Sequence, residues 1–263
     1  MFDLTATIVT YKNELPILRQ TIESLNNAFP KVQIVIFDNS LDKEYFSLLK
    51  SELCFKNVLF IDSKENKGFG AGHNMAENFC NESKYHLILN PDVIVNKNTL
   101  YQIIDYMNAN TRIGVISPKI LNSDLTFQYS NKRYPTLIAL ILRRIFKSDD
   151  TNIPYFKRKL DYYLLKDIDH AKDFDPPLLS GCFMVFQREV FRAISGFDEN
   201  FFLYFEDFDI CLRVKEHGYR VSYLSSASCI HLWERGNSYK TKHAYNLVKS
   251  MIIFYKKWGL KLT

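Results

Sequence analysis

The chain has 263 residues, 47% of them hydrophobic, with 34 basic against 29 acidic side chains and a formal charge of +5. That length and apolar content suit one packed domain with an elaboration, and they exclude a disordered tail or a small disulfide-stapled scaffold. The charge excess is too mild to mark a nucleic-acid binder, so its placement matters more than its size.

The five cysteines (Cys54, Cys80, Cys182, Cys211, Cys229) are odd in number and lack the two-residue spacing of a zinc knuckle or redox pair. They read as buried apolar groups in a reducing compartment. Residues 1–11 carry an early Asp3 and no basic region ahead of a long apolar run, unlike a signal peptide. The longest uncharged apolar run in the middle, 135–142, falls far short of the roughly 20 residues of a membrane span. A cytoplasmic protein is expected.

In chain order, 4–10 is a β-branched run, and 14–29 then sets Leu15, Leu18, Ile22 and Leu25 at helical spacing. Strand 32–37 ends on Asp38-Asn39-Ser40, a helical stretch at 45–53 follows, and 58–61 is a third strand. Helix 72–81 leads to strand 85–89, which stops at Asn90-Pro91-Asp92, and helix 99–107 precedes strand 114–116. Short apolar runs without alternation, separated by helices, predict an open, doubly wound, mostly parallel sheet whose ligands bind at the carboxyl ends of its strands. The second half is less regular: strand 178–186, helix 189–194, a turn at Ser195-Gly196, helix 206–217, strands 219–224 and 227–231, and helix 242–258. Without a linker or repeat, the chain reads as a single α/β domain, 1–263, with a C-terminal α+β elaboration.

Several groups of residues could carry chemistry. Thr10, Tyr11 and Asn13 end the first strand and Asp38-Asn39 the second, close enough to bind a nucleobase and ribose, although Asp38-Asn39-Ser40 is also ordinary turn vocabulary. In 66–74, Gly68, Gly70 and Gly72 open a helix, where backbone amides and a helix N-terminus favour an anion such as a diphosphate. This loop follows the third strand and lacks the Gly-x-Gly-x-x-Gly register, which excludes a dinucleotide dehydrogenase, and no phosphate-loop signature marks an NTPase. Asp92, at a strand end, suits Mg²⁺ or Mn²⁺ or a turn cap. In 201–209 three carboxylates emerge from an aromatic run, and Glu206 and Asp207 fall where acids cap a helix. Capping does not account for the apolar wall, which would raise a carboxylate's pKa toward that of a usable base. Asp209 and Arg213, four apart, read as a structural pair. His231 ends a strand before a polar loop with Trp233, and by itself reads as a metal ligand or as an ordinary satisfied histidine.

As an ordered set, these stretches resemble the family 2 inverting glycosyltransferases of the GT-A fold, and within them the bacterial rhamnosyltransferase branch. The carrying motifs run from Ile8-Val9-Thr10-Tyr11-Lys12-Asn13 through Phe37-Asp38-Asn39-Ser40, 66–74, Leu89-Asn90-Pro91-Asp92-Val93, Ser180-Gly181, Gly196-Phe197-Asp198-Glu199 and Phe205-Glu206-Asp207-Phe208-Asp209 to His231. The resemblance implies a nucleotide-sugar-binding half, 1–118, with Thr10, Tyr11, Asn13, Asp38, Asn66, Gly68, Gly70, Asn74, Asn90 and Gly181 at the donor. It implies an acceptor and catalytic half, 119–263, with Asp207 as base and Glu206 beside it. Asp92 stands where the family's Asp-x-Asp metal motif ends and His231 where many members place a metal-ligating histidine, so a divalent cation, Mg²⁺ or Mn²⁺, is expected. Asn90 replaces the first aspartate of that motif, which implies modest cation affinity. The Gln-x-x-Arg-Trp motif of processive enzymes is absent around 232–236, which implies transfer of one sugar per encounter. The implied donor is dTDP-L-rhamnose, with UDP-hexoses open, and the implied acceptor a lipid-linked saccharide.

Other classes remain open. A sugar nucleotidyltransferase would show a basic, glycine-rich loop after the first strand, and 10–13 has no glycine. In a non-catalytic glycan-binding protein, the aromatic run would be a stacking platform.

Residues 132–160 concentrate Lys132, Arg133, Arg143, Arg144, Lys147, Lys157, Arg158 and Lys159 around an apolar stretch, Leu137 to Phe146. They fit a segment lying on an anionic membrane surface at the inner face of the plasma membrane, or a helix packed on the C-terminal half with a basic outer face.

Overall fold

Every residue of β1 (Leu4–Thr10) and β2 (Val32–Asp38) is buried, which is why their apolar pattern is continuous rather than alternating. Helix α1 (Leu15–Ala28) enters on Pro16 in its first turn and buries Leu18, Ile22 and Leu25 on one face; α2 (Lys43–Glu52) is capped by the Asp42 carboxylate, which accepts from the Glu44 and Tyr45 amides. There follow β3 (Val58–Asp62), α3 (Phe69–Glu77), β4 (Tyr85–Leu89), β5 (Val93–Val95), α4 (Thr99–Ala109), β6 (Ile113–Leu121), α5 (Leu137–Ile145), α6 (Pro154–Tyr163), β7 (Phe183–Gln187), α7 (Arg188–Ala193), α8 (Glu206–Glu216), β8 (Arg220–His231) and α9 (Lys240–Trp258). The computed structural model describes residues 3–146, 151, 153–232 and 240–262.

The strands form one eight-stranded sheet in the order β3-β2-β1-β4-β7-β6-β8-β5. Strands β3, β2, β1 and β4 run parallel, β7 lies antiparallel between β4 and β6, and β8 is parallel to β6 and antiparallel to β5. Strands from both halves of the chain therefore share one sheet, which brings the carboxyl ends of β1, β2 and β4 to the same edge as the end of β8.

Several expected boundaries move. Helix α3 begins at Phe69, so Gly70 and Gly72 lie inside its first turn rather than ahead of it. The strand expected at 178–186 is β7, from Phe183; Leu178 instead bridges to Lys132. The two strands expected at 219–224 and 227–231 are one, β8, whose register against β6 shifts between Pro118 and Lys119 and skips 225–227. In 132–160, where one of the two readings was a helix, the structure has two, α5 and α6.

Gly68 shows what the glycine loop does for folding. Its backbone, at φ +99° and ψ −169°, is in a region open essentially only to glycine, and an added Cβ would stand 1.9 Å from the Phe202 carbonyl oxygen. Gly68→Ala is expected to destabilise the protein by more than about 2 kcal/mol in denaturant unfolding. At Gly218, with φ +81° and nothing within 4 Å, the same change costs only the conformational penalty, about 1 kcal/mol. Equal losses at the two sites would show that the contact with Phe202 is immaterial.

Candidate active site

Asp38 ends β2 with its Oδ1 accepting from the Thr10 hydroxyl (2.9 Å), the Ser40 hydroxyl (2.6 Å) and the Ser40 amide (3.2 Å). Its Oδ2 is buried without a partner among the described residues. Burial raises the Asp38 pKa against the pull of those hydrogen bonds. An oriented carboxylate oxygen left without a partner at a strand end is suited to a ribose or base donor group. Thr10 itself is fully buried and committed to Asp38, so it orients that carboxylate rather than reaching a ligand. The Asn13 carboxamide is also used internally, accepting from the Tyr11 amide at 2.9 Å, whereas the Tyr11 ring is 46% exposed.

The glycine loop departs from expectation. Asn66 Oδ1 accepts from the Gly68 amide (2.9 Å), the Phe69 amide donates to the Phe202 carbonyl (2.9 Å) and the Gly72 amide to the Gly68 carbonyl (3.2 Å). A Cβ on Gly70 would stand 2.8 Å from the Phe197 Cβ. Gly68 and Gly70 admit the 197–202 segment and Gly72 admits Val9 and Asn39, so the close approach they permit is to this chain rather than to a diphosphate. Asn74 is part of the same seam: its carboxamide accepts from the Phe197 amide (2.8 Å) and donates to the Phe197 carbonyl (2.9 Å) and to Glu199 (3.1 Å). Expected at the nucleoside, it instead ties α3 to the loop that precedes the candidate base. Asn39, which donates to the Gly68 carbonyl at 2.9 Å, fixes the loop from the other side.

Asp92 and His231 meet at the ends of β4 and β8, where Val93 is in register with His231. His231 Nε2 lies 3.3 Å from Asp92 Oδ1 and 3.5 Å from Asn90 Nδ2, while Nδ1 lies 2.9 Å from Gln128 Oε1. Burial works against a charged ring, but the Cys182 thiol and the Asp92 carboxylate outweigh it and lift the His231 pKa to about 10. A carboxamide oxygen can only accept, so Nδ1 carries a proton; the raised pKa puts a second proton on Nε2, facing Asp92, and a cation would take that proton's place, with Gln128 as outer-shell partner of the ring. Among the described residues no three His, Cys, Asp or Glu side chains converge. The donor set fits a divalent cation that takes one carboxylate oxygen and one imidazole from the protein and its other ligands from phosphate and water. Gln128 lies in a stretch without periodicity, so no sequence signal pointed to it.

The carboxylates of α8 are aimed by strained backbone: Tyr204 and Phe205 are both left-handed, with φ +74° and +66°. Phe201, Phe205 and Phe254 form the apolar wall with Phe208 packed on it. Asp207 accepts from the Gly181 amide (3.0 Å) and the Phe208 amide (2.9 Å). Its pKa is raised by burial to about 6, with the two amides pulling the other way. Burial, followed by the neighbouring Asp207 charge, pushes Glu206 well above the usual carboxylate range, and its Oε2 has no partner among the described residues. Within one turn the chain thus holds Glu206, whose neutral form burial favours, and Asp207, whose pKa of about 6 leaves it ionised at neutral pH. Gly181, expected at the donor, serves Asp207: its amide holds the carboxylate, and an added Cβ would stand 3.2 Å from the Asp207 Cβ. Asp209 pairs with Arg213 (2.7 Å) as its spacing predicts, and also receives Lys257 and the Trp258 indole (2.8 Å each) from α9.

The basic segment is only partly a surface. Lys132 is 4% exposed and Arg133 is held by Asp167 at 2.6 and 2.9 Å, which removes both from any basic outer face. Arg143, Lys157 and Arg158 are exposed, as are Ile141 (48%) and Ile145 (64%), while Ala139 and Leu142 are buried. Lys147, Asp149, Asp150 and the loop 233–239 lie outside the described residues.

Residues 6–195 match the model of glycosyl transferase family 2, and 165–258 that of glycosyl transferase family group 2. The low-salt glycan biosynthesis hexosyltransferase Agl10 of Haloferax volcanii is 26% identical over 87% of this chain and 67% of its own. The rhamnosyltransferase WbbL of Escherichia coli K12 is 27% identical over 84% of this chain and 80% of its own. The N-acetylglucosaminyl-diphospho-decaprenol L-rhamnosyltransferase of Mycobacterium tuberculosis is 23% identical over 88% and 76%. Among solved structures, GalNAc-T7 with UDP, GalNAc and Mn²⁺ aligns with a TM-score of 0.64 at 13% identity, and residues 1–349 of S. aureus TarS with 0.56 at 15%. Those alignments cover 90% and 88% of this chain but 45% and 60% of the structures, and they bear on the fold, which is GT-A.

Proposed function

The chain belongs to glycosyl transferase family 2 and is a glycosyltransferase, and we propose that it moves one sugar, with inversion, from a nucleotide-sugar to a lipid-linked saccharide of a bacterial surface polysaccharide. The observation that carries this reading is the half-buried Asp207, oriented by the Gly181 amide and raised by its desolvation to about 6. Asp207 takes the proton of the acceptor hydroxyl, whose oxygen bonds to the anomeric carbon as the carbon–oxygen bond to the diphosphate breaks. The beginning of that reaction is a sugar on a diphosphate and its end is an inverted glycoside with a free nucleoside diphosphate. A retaining route would need a second carboxylate poised at the same carbon, for which the sequence offers no candidate apart from Glu206, whose neutral form burial favours. Asp92 and His231 would hold a divalent cation, which supplies positive charge to the departing diphosphate. Asp38, through its open Oδ2, would hold the nucleoside.

The donor proposed is dTDP-L-rhamnose, supported by the rhamnosyltransferases among the relatives. A panel of nucleotide-sugars scored by nucleoside diphosphate release tests it: dTDP-rhamnose is expected to turn over fastest. A faster UDP-hexose would replace that donor, and release from none would overturn the proposed donor class.

Among the described residues no helix is long and apolar enough to cross a membrane. We place α5 and α6 on an anionic membrane surface at the inner face, on the strength of exposed Ile141 and Ile145 beside exposed Arg143, Lys157 and Arg158. Wild-type protein is expected to float with anionic but not zwitterionic liposomes, and the triple variant Ile145→Asp, Lys157→Glu, Arg158→Glu to stay in the pellet. Identical behaviour of the two would remove the membrane from this reading.

A further inference from the structure

Helix α9 turns one face to the segment that carries the candidate base. His243, Ser250, Phe254, Lys257 and Trp258 recur at helical spacing, and each of them meets a residue of 198–209. The Tyr204 hydroxyl lies 2.9 Å from His243 Nδ1, and the Ser250 hydroxyl donates to the Leu203 carbonyl at 2.8 Å. Phe254, fully buried, sets its ring centre 5.2 Å from that of Phe205. These contacts fall on the left-handed pair Tyr204-Phe205 that turns the chain into α8, and on the residue before it.

One ammonium joins the two ends of the same segment. Lys257 Nζ lies 2.7 Å from Asp198 Oδ2 and 2.8 Å from Asp209 Oδ1, and the Trp258 indole donates to that same Oδ1 at 2.8 Å. Asp209 is fully buried, and its other oxygen receives Arg213 at 2.7 Å, whose guanidinium also donates to the Ile194 carbonyl at 2.6 Å. A buried carboxylate with Lys257, Trp258 and Arg213 all donating to it is held in one place. The segment 198–209 is thereby closed into a loop, with Asp207 inside it.

We propose that Lys257 is a positioning residue for transfer: by joining Asp198 to Asp209, with Trp258 as a neutral second donor, it holds the strained turn in the arrangement that presents Asp207 to the acceptor hydroxyl. The proposal rests on Asp207 being the base. The backbone supplies the need for such a closure, since Tyr204 and Phe205, at φ +74° and +66°, persist there only where the surroundings over-determine them. Relaxation of that pair would swing the first turn of α8, and a displacement of about 1 Å at a reacting group can cost 10²-fold in rate. The Asp207 carboxylate itself is taken by the Gly181 and Phe208 amides, so α9 acts on the backbone that carries it. A contact that merely anchored α9 would change stability and leave the turnover of folded enzyme alone.

Steady-state kinetics separate the two, with the nucleotide-sugar that the panel selects, a saccharide on a short prenyl diphosphate as acceptor, and competent enzyme counted by calorimetric titration with that nucleotide-sugar. Lys257→Met is expected to lower kcat about tenfold or more, with KM and calorimetric affinity for the nucleotide-sugar within about twofold of wild type. Lys257→Arg can still bridge two carboxylates, and should return most of the lost rate. Should Lys257→Met fail to fold, Trp258→Phe removes one neutral donor from Asp209 and is expected to lower kcat alone, by a smaller factor. Wild-type kcat in the folded variant overturns the proposal, as does a loss shared equally by kcat and nucleotide-sugar affinity, which would make Lys257 a general brace. The double variant Asp207→Asn, Lys257→Met tests the route of action. If Lys257 acts through Asp207, the second change should add less than about twofold to the first, as members of one unit do. A further loss of about tenfold would overturn the positioning role and leave the base in place, whereas wild-type kcat in Asp207→Asn alone would bring down the base assignment on which the proposal rests.

Discussion

Asp207→Asn is expected to lower kcat by about 10²-fold or more while leaving donor affinity near wild type, because it removes a proton acceptor and preserves shape. The carboxamide cannot take the acceptor proton, yet it still offers an oxygen to the Gly181 amide that orients the side chain. The pH profile follows from the same group. Burial raises the Asp207 pKa from 3.8 to about 6, so the basic form predominates above that value. Activity should fall as pH drops through about 6, with kcat/KM reporting the limb for the free enzyme. Glu206→Gln should be far milder, since burial favours the neutral form of Glu206 and a carboxamide preserves its shape. Inactive Glu206→Gln beside active Asp207→Asn would reverse the two roles.

The elements that position Asp207 also show what a sequence reveals and conceals. Strands β1, β2 and β4 are buried on both faces, so their apolar runs announced a parallel sheet directly. The α8 carboxylates were legible because an aromatic run ends on them, and Asp92 and His231 because each follows a strand. Partners fixed by tertiary approach left no trace in the local pattern. Gly181 and Asp207 are 26 positions apart and His231 and Gln128 are 103 apart; no periodicity encodes such pairs. The glycines of 68–72 announced close approach, but not by what: Phe202 at Gly68, Phe197 at Gly70, and Val9 and Asn39 at Gly72 take the space that a ligand was expected to fill. Lys132 misled in the same way, because a lysine in a basic run reads as surface, whereas here a backbone bridge to Leu178 draws it inside.

Asp92→Ala should abolish transfer, and so should excess EDTA, with Mn²⁺ or Mg²⁺ restoring the chelated wild type but not the variant. The expectation rests on how few charged ligands the protein offers. Asn90 supplies no charge where a second carboxylate would add one, and among the described residues no third His, Cys, Asp or Glu side chain joins Asp92 and His231. Loss of Asp92 therefore removes the one anionic ligand among the described residues, where no other carboxylate stands ready to replace it. His231→Ala should be less severe, since water can take the position that the imidazole leaves. Gln128→Ala separates a ligand role for His231 from a structural one. Gln128 touches no cation in this scheme; it fixes the tautomer by accepting from Nδ1 at 2.9 Å, so its loss should weaken cation affinity about 10- to 100-fold. Saturating Mn²⁺ should then recover most of its rate. A Gln128→Ala enzyme that stays impaired at every Mn²⁺ concentration would reduce His231 to a packing residue, and a wild type fully active in EDTA would end the cation assignment altogether.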